Sequence, residues 1–364
     1  MWNPFFLDED FVKRKVVVAM SGGVDSSVTA ALLQEQGYEV IGLTMHHWDA
    51  CAQEATAEMC QSNTAVAKAQ KIAEHLQIPF YSVNFETDFR QQIINRFCAD
   101  YLSGKTPNPC AVCNKKIKFG LLLEKAIELG ADFLATGHYV SLVDADGRLF
   151  ISKGADRNKD QSYFLFSLNQ QQLSHCLFPL GELNKDDVRQ HAARFGLQIP
   201  KTEESQDICF IPDGDYVKFL QQEEGFETLS GDIVHVSGDV LGKHQGTYRY
   251  TIGQRKGLGI GWKEPLYVVA IDASKQQVIV GEKEHLSCPE MTVEQCCWAI
   301  AEPKETFSTT CRIRYRHTEV PVTVEPCGHG VVKVVFATPQ DGVTPGQAAV
   351  FYADDRVIGG GWIQ

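Results

Sequence analysis

Apolar positions fall into two textures along the chain. In the first, short β-branched runs alternate with segments whose apolar residues recur at helical spacing. Lys15–Met20, Tyr38–Leu43, Phe80–Val83 and Asp132–Thr136 have the strand pattern. Between and around them, Ser26–Gln36, the alanine-rich Ser62–Leu76, Asp88–Leu102 and Ile117–Leu129 have the helical one. This β-α-β-α order predicts an α/β fold, a parallel sheet with helices on both faces, which binds ligands at the carboxyl ends of its strands.

The second texture begins after about Cys209. From Gly231 on, Gly and Pro punctuate short alternating segments: Asp232–Val236, Leu266–Asp272, Gln277–Val280, Thr309–Arg316, Val320–Val324, Val331–Phe336 and Ala348–Tyr352. Such spacing predicts small β domains, with a β-barrel at the C-terminus. Boundaries near 212 and 284 divide the chain into an N-terminal extension (1–13), an α/β domain (14–212), a central domain (213–283) and a barrel (284–364). No internal repeat or low-complexity tract interrupts this order.

Composition narrows the class. With 364 residues, 44% hydrophobic and 22% charged, the chain is a multi-domain globular protein, not a disordered or fibrous one. Its apolar runs, such as Val16–Val18 and Tyr267–Ile271, fall far short of the roughly 20 residues of a membrane helix. The acidic Asp8-Glu9-Asp10 with no basic lead argues against a signal peptide, so a cytoplasmic protein is expected. A net charge of -12 disfavours indiscriminate binding to phosphate backbones. Local basic stretches nevertheless occur at Asn114–Lys118, Lys243–Lys256 and Cys311–His317, where Arg312, Arg314 and Arg316 alternate. Any RNA surface is therefore restricted. The 12 cysteines are spread over a long, core-rich chain, unlike a secreted disulfide scaffold.

Three motifs carry chemistry. Ala19-Met20-Ser21-Gly22-Gly23-Val24-Asp25-Ser26-Ser27 joins the first strand to the first helix, so successive backbone N–H groups and a helix N-terminus form an anion cradle. Without a Gly-Lys-Ser/Thr end it is not a Walker loop; it resembles the pyrophosphate loop of enzymes that split ATP between its α and β phosphates. In Thr106-Pro107-Asn108-Pro109-Cys110-Ala111-Val112-Cys113-Asn114, the prolines hold an extended segment before a helix. Cys113 near that start, with Lys115, Lys116 and Lys118 close by, is expected to have a depressed pKa. By itself the Cys-x-x-Cys pair is open among a redox pair, a metal site and coincidence. Ser205-Gln206-Asp207-Ile208-Cys209 is the third motif, and alone Cys209, between two apolar residues, reads as a core cysteine more readily than as a catalyst.

Taken in order, these motifs, Gly137-His138-Tyr139, Lys159-Asp160-Gln161-Ser162-Tyr163, Tyr250–Gly259 and Thr344-Pro345-Gly346-Gln347 resemble the tRNA-specific 2-thiouridylase family. The resemblance spans about residue 14 to the C-terminus. It implies ATP contacts from Ala19, Met20, Ser21, Gly22, Gly23, Val24, Asp25 and Ser26, with Met45 at the adenine and Gly137 completing the pocket. It implies a nucleophilic Cys113, a persulfide on Cys209 and a transient Cys113–Cys209 disulfide. Asn108, Pro109 and Cys110 would meet the target base. His138, Lys159, Asp160, Gln161, Arg314, Tyr315 and Gln347 would contact tRNA.

The activity so implied adenylates C2 of the wobble uridine in tRNAs for Glu, Gln and Lys with ATP and Mg2+. Sulfur then arrives from a persulfide relay fed by a cysteine desulfurase. Many family members carry Asp where this chain has Cys110, which raises a second arrangement: an iron–sulfur cluster on Cys110, Cys113 and Cys209. The cluster-free arrangement is favoured, because Cys113 and Cys209 have sufficient work without iron. Two further alternatives are another pyrophosphate-loop enzyme acting on an amine, and a metal-binding RNA chaperone that binds ATP without turnover. His46-His47 with Cys51 and Cys60 match no standard zinc spacing; Cys296-Cys297, Trp48 and Trp262 read as packing residues.

Overall fold

The computed structural model describes residues 14–46, 65–197, 208–211, 213–223 and 225–364. His47, Trp48, Cys51, Cys60, Ser205, Gln206, Asp207, the start of the expected helix Ser62–Leu76 and residues 1–13 lie outside them.

The first texture folds as expected into one parallel sheet. Strands β1 (Lys15–Ala19), β2 (Glu39–His46), β3 (Phe80–Asn84), β4 (Phe133–Ala135) and β7 (Cys176–Leu177) stand in the order β3-β2-β1-β4-β7. The completely buried Val16, Val17 and Val18 explain why β1 is central. Val17 faces one hydrophobic core and Val16 and Val18 the other, so helices must cover both faces. The helix after β1 (α1, Val24–Glu35) and the next (α2, Ala65–Leu76) pack on the Val16/Val18 side. Two longer helical stretches each contain a π-helical segment. Glu86–Phe89 runs through a π-helical segment, Arg90–Ile94, into Asn95–Leu102; Pro109–Cys113 runs through another, Asn114–Leu122, into Leu123–Glu128. No helix among the described residues is long and apolar enough to cross a membrane.

Between β4 and β7 the chain forms a hairpin that the hydrophobic pattern did not announce, β5 (Val140–Ala145) and β6 (Arg148–Lys153). It leaves the parallel sheet and joins the barrel. The central region contains β8 (Gly231–His235), β9 (Val240–His244), β10 (Tyr267–Asp272) and β11 (Gln277–Gly281), in the order β10-β11-β8-β9. The remaining strands are β12 (Ser287–Trp298), β13 (Phe307–Arg312), β14 (Val320–Gly328), β15 (Val331–Asp341), β16 (Ala348–Ala353) and β17 (Arg356–Ile363). Their order β12-β15-β14-β13-β16-β17 closes by a β12–β17 pairing into a six-stranded barrel, and β6 pairs onto β17. Closure removes the exposed edges that an open sheet would present.

The expected strand Thr309–Arg316 ends at Arg312. Arg314 and Arg316 stand in the turn that follows, so the alternating arginines do not form a basic strand face.

Candidate active site

At the carboxyl end of β1 the chain turns through Ser21-Gly22-Gly23 into α1. Gly22 has φ +77°, and a Cβ there would come within 2.6 Å of the Lys68 Cβ on α2. The loop therefore needs glycine for its backbone conformation and for the approach of α2. Ser26 fixes its shape: Oγ accepts from the Ser21 N–H at 3.2 Å and donates to the Gly23 carbonyl at 3.1 Å. Gly23 occupies the N-cap with no side-chain cap, which leaves the first-turn N–H groups free of a covering side chain. Asp25 lies in that turn, and Gly137 sits so near that a Cβ on it would be 2.9 Å from the Asp25 carbonyl carbon. Met45 is one residue from the end of the neighbouring β2. The structure thus gathers Ala19–Ser26 and Gly137 around one strand-end cradle, beside β2.

Sequence reasoning missed one residue here. Lys185, the first residue of the helix Lys185–Arg194, is buried and holds both Asp25 carboxylate oxygens at 2.8 and 2.9 Å. The Tyr139 hydroxyl donates to the same carboxylate at 2.7 Å. Its signal in the sequence was faint: a lysine at the start of a capped helix, where cations are disfavoured by the helix dipole.

The cysteine segment is built by its cap. Asn108 accepts from the Ala111 N–H at 3.2 Å and Pro109 takes the first helical position, a combination that starts a helix at low cost. Cys113 lies beyond the first turn and the helix continues past it, so the N-terminal dipole expected to favour its thiolate is not where the sulfur is. Cys113 is also buried. Burial pushes its thiol up from 9.0 to about 12, only partly opposed by Lys118, with Cys209 and Cys110 raising it further. The expectation of a depressed pKa is overturned, because desolvation outweighs one nearby cation.

Cys209 stands in a turn whose next residues, Phe210 and Ile211, are buried in the same cluster as Val112 and Cys113. They anchor the turn over the cysteine helix, so Cys209 is not the core residue that its apolar neighbours suggested. Cys110 and Cys209 have exposed surface, yet protein atoms crowd their sulfurs enough for desolvation to raise both thiols, Cys209 to about 11. Each of the three thiols is free, and all three feel Lys118. Among the described residues no group of three Cys, His, Asp or Glu side chains is arranged to hold a metal ion.

The expected RNA-contact residues separate into two groups. Arg314 is exposed, Lys159 and Tyr315 are half-buried, and the Tyr315 ring lies 4.6 Å from that of Phe164. Asp160 is different. It is 2% exposed, accepts from the Gly154 and Ser162 N–H groups and the Ser162 hydroxyl, and pairs with Arg312 at 2.8 Å. A carboxylate so enclosed anchors the loop and is not presented to RNA. His138 is buried too, 2.7 Å from the Thr136 hydroxyl, and desolvation followed by Lys118 holds it well below the usual histidine range, hence neutral. Gln161 accepts from the Tyr139 N–H.

Gln347 lies in the turn before β16 and reaches back to the α/β domain. Its amide donates to the Thr106 carbonyl at 3.0 Å and the Pro107 carbonyl at 3.2 Å. Thr106 N–H donates in return to the Pro345 carbonyl at 2.8 Å. Gly346, at φ +90°, lets the strands of chain approach; a Cβ would come within 2.8 Å of the Thr106 oxygen. The barrel therefore grips the segment that leads into the cysteine helix. Lys115 adds a second tie, 3.2 Å from the Cys297 sulfur, which gives that cysteine a contact beyond packing.

Comparison with known proteins accords with this arrangement. Residues 14–213 match the family described as the tRNA methyl transferase HUP domain, 217–282 the tRNA methyl transferase PRC-barrel domain, and 289–363 the aminomethyltransferase beta-barrel domain. The tRNA-specific 2-thiouridylase MnmA of Syntrophotalea carbinolica is 54% identical over 350 residues, covering 96% of this chain and 98% of that one. Its namesake in Geobacter metallireducens is 52% identical over 356 residues, covering 96% and 97%. Among solved structures, the U34-tRNA thiolase NcsA from Methanococcus maripaludis with its 4Fe-4S cluster is 22% identical, covers 57% of this chain and 67% of that one, and has a TM-score of 0.35.

Proposed function

The chain belongs to the tRNA-specific 2-thiouridylase family, and we propose that it replaces the C2 oxygen of the wobble uridine with sulfur in tRNAs for Glu, Gln and Lys. It is a tRNA sulfurtransferase that uses ATP. The observation that carries the assignment of roles is the meeting of Cys113 and Cys209, distant in the chain: Phe210 and Ile211 pack in the same cluster as Cys113, and the Cys209 sulfur is close enough to raise the Cys113 thiol. Methyl transfer, the activity in the family model's wording, would leave this pair and the phosphate loop without work.

The C2 oxygen is a poor leaving group, so it attacks the ATP α-phosphate and pyrophosphate departs into the loop N–H groups and the positive end of α1. Mg2+, brought with ATP, would supply neutralising charge at the phosphates, and Asp25, the loop carboxylate beside them, is itself held by Lys185 and Tyr139. A persulfide on Cys209, loaded by a desulfurase relay, then attacks C2 through its terminal sulfur, and AMP leaves. Cys113, as thiolate, attacks the Cys209 Sγ of the resulting C2–S–S–Cys209 link. The C2 sulfur is released and a Cys113–Cys209 disulfide remains for an external reductant. These steps need no cluster. The uridine must leave the anticodon stack to reach the pocket, where Asn108, Pro109 and Cys110 border it and Arg314, Lys159 and Tyr315 meet flanking RNA. In this reading the catalytic, central and barrel domains are 14–212, 213–283 and 284–364, and the enzyme works in the cytoplasm.

The test is in vitro thiolation of unmodified tRNA with Mg·ATP and a persulfide donor, with nucleoside mass spectrometry and nucleotide analysis. Expected are 2-thiouridine at position 34, AMP and pyrophosphate. ADP and inorganic phosphate, or sulfur at another nucleoside, would refute the proposal.

A further inference from the structure

Lys185 is placed where two elementary costs oppose it. Its side chain is only 10% exposed, although a buried ammonium loses hydration. It also opens the helix Lys185–Arg194, the end at which the dipole repels cations. The helix start itself is secured without it: Asn184 caps the first turn and forms a capping box with Asp187. The Lys185 N–H is taken by Asp156 at 3.1 Å. What holds the ammonium is Asp25, at 2.8 and 2.9 Å, with the Tyr139 ring centroid 5.7 Å away.

Asp25 has a difficulty of its own. It lies in the first turn of the helix whose N-terminus cradles phosphate, so its carboxylate adds negative charge where a triphosphate must come. Left unpaired, it would repel the ligand and could also fold over the N–H groups as a cap, in competition with phosphate. The bidentate grip of Lys185 and the Tyr139 hydroxyl prevents both. It cancels the charge and draws the carboxylate toward the Lys185–Arg194 helix.

We propose that Lys185 is a positioning residue of the ATP site, acting through Asp25 to keep the phosphate loop electrically neutral and its amides open. This rests on the assignment of Ser21–Ser26 as the ATP-phosphate loop. It further makes the Lys185–Arg194 helix part of nucleotide recognition, although it lies far along the chain from the loop.

The experiment measures ATP affinity by equilibrium dialysis for the full chain as wild type, Lys185→Met, Lys185→Arg, Asp25→Asn and the double variant Asp25→Asn/Lys185→Met. Failure of wild type to bind ATP would refute the loop assignment itself. If wild type binds, Lys185→Met should weaken affinity tenfold or more, and Lys185→Arg should retain most of it. In the Asp25→Asn background the same Lys185→Met change should cost less than threefold, because no charge remains to cancel. Equal losses in the two backgrounds, or no loss in either, would overturn the proposal. The double variant replaces the ion pair with a neutral pair and keeps the test available if Lys185→Met alone fails to fold. A purely structural role would lower the melting temperature of the variants without this background dependence.

Discussion

The phosphate loop and the cysteine pocket handle charge in opposite ways. At the loop, ionised groups are paired in advance: Asp25 is held by Lys185 and Tyr139, and Ser26 fixes the turn beneath the amides. At the pocket, the reactive groups are kept neutral: Cys113 and Cys209 are pushed up to about 12 and about 11, and His138 is pushed down. The difference follows from the chemistry. A phosphate site must be polarised before its ligand arrives, whereas a standing thiolate would be open to oxidation between turnovers. The thiols are therefore held protonated until the reaction calls for a thiolate.

The sharpest way to break this contrast is to remove the sulfurs. Cys113→Ser and Cys209→Ser should each lower thiolation on the order of a thousandfold, with ATP affinity unchanged. Cys110→Asp should retain substantial thiolation in iron-free protein. Activity that follows iron content in mass-spectrometric thiolation assays would contradict the roles given to the pair.

Removing the loop's support should have the next largest effect. Ser26→Ala loses the hydroxyl's hydrogen bonds with the Ser21 N–H, the Ser21 hydroxyl and the Gly23 carbonyl, each worth about 0.5 to 1 kcal/mol, so the KM for ATP should rise roughly ten- to a hundredfold while filter binding shows unchanged tRNA affinity. A parallel loss of tRNA affinity would mean that the two sites are not separate.

The pocket's neutrality can be sharpened by pH. Cys113 carries its proton well above neutrality, and thiolate is required to attack Cys209. With a preloaded persulfide, single-turnover release of 2-thiouridine should therefore rise with pH, by up to about tenfold per unit while the thiol remains below its pKa. A rate already flat at pH 7 would mean that bound substrate lowers the thiol into the neutral range. The smallest effect is expected at the RNA surface. Arg314→Ala should reduce the salt slope of tRNA binding by about one, while an unchanged slope would remove Arg314 from the contacts.

How far the sequence reached depended on the range of the interactions involved. The strands β1 to β4 and the phosphate loop were legible because β-branched runs, helical spacing and a glycine turn are local signals. The hairpin β5–β6 was not, because its partner is β17, far down the chain. The thiol shift at Cys113 was misjudged for the same reason: Phe210, Ile211 and the Glu86–Leu102 stretch that bury its surroundings are distant in sequence. Asp160 looked like a polar residue in a loop, and only Arg312, arriving from the barrel, shows that its carboxylate is committed. Lys185 was invisible as a site residue because nothing local ties it to Asp25.

The pairing of β6 with β17 has a consequence for synthesis on the ribosome. Ser152 lies opposite Arg356, and the Lys153 N–H donates to the Asp355 carbonyl, so this edge waits for some 200 residues to be made. At about 5–20 residues per second that is a delay of roughly 10 to 40 s. During this interval the nascent α/β domain carries an uncovered strand, the kind of edge on which other chains can pair. The barrel thus completes the first domain as well as itself, and a ribosome stalled before β17 would release a chain prone to aggregate.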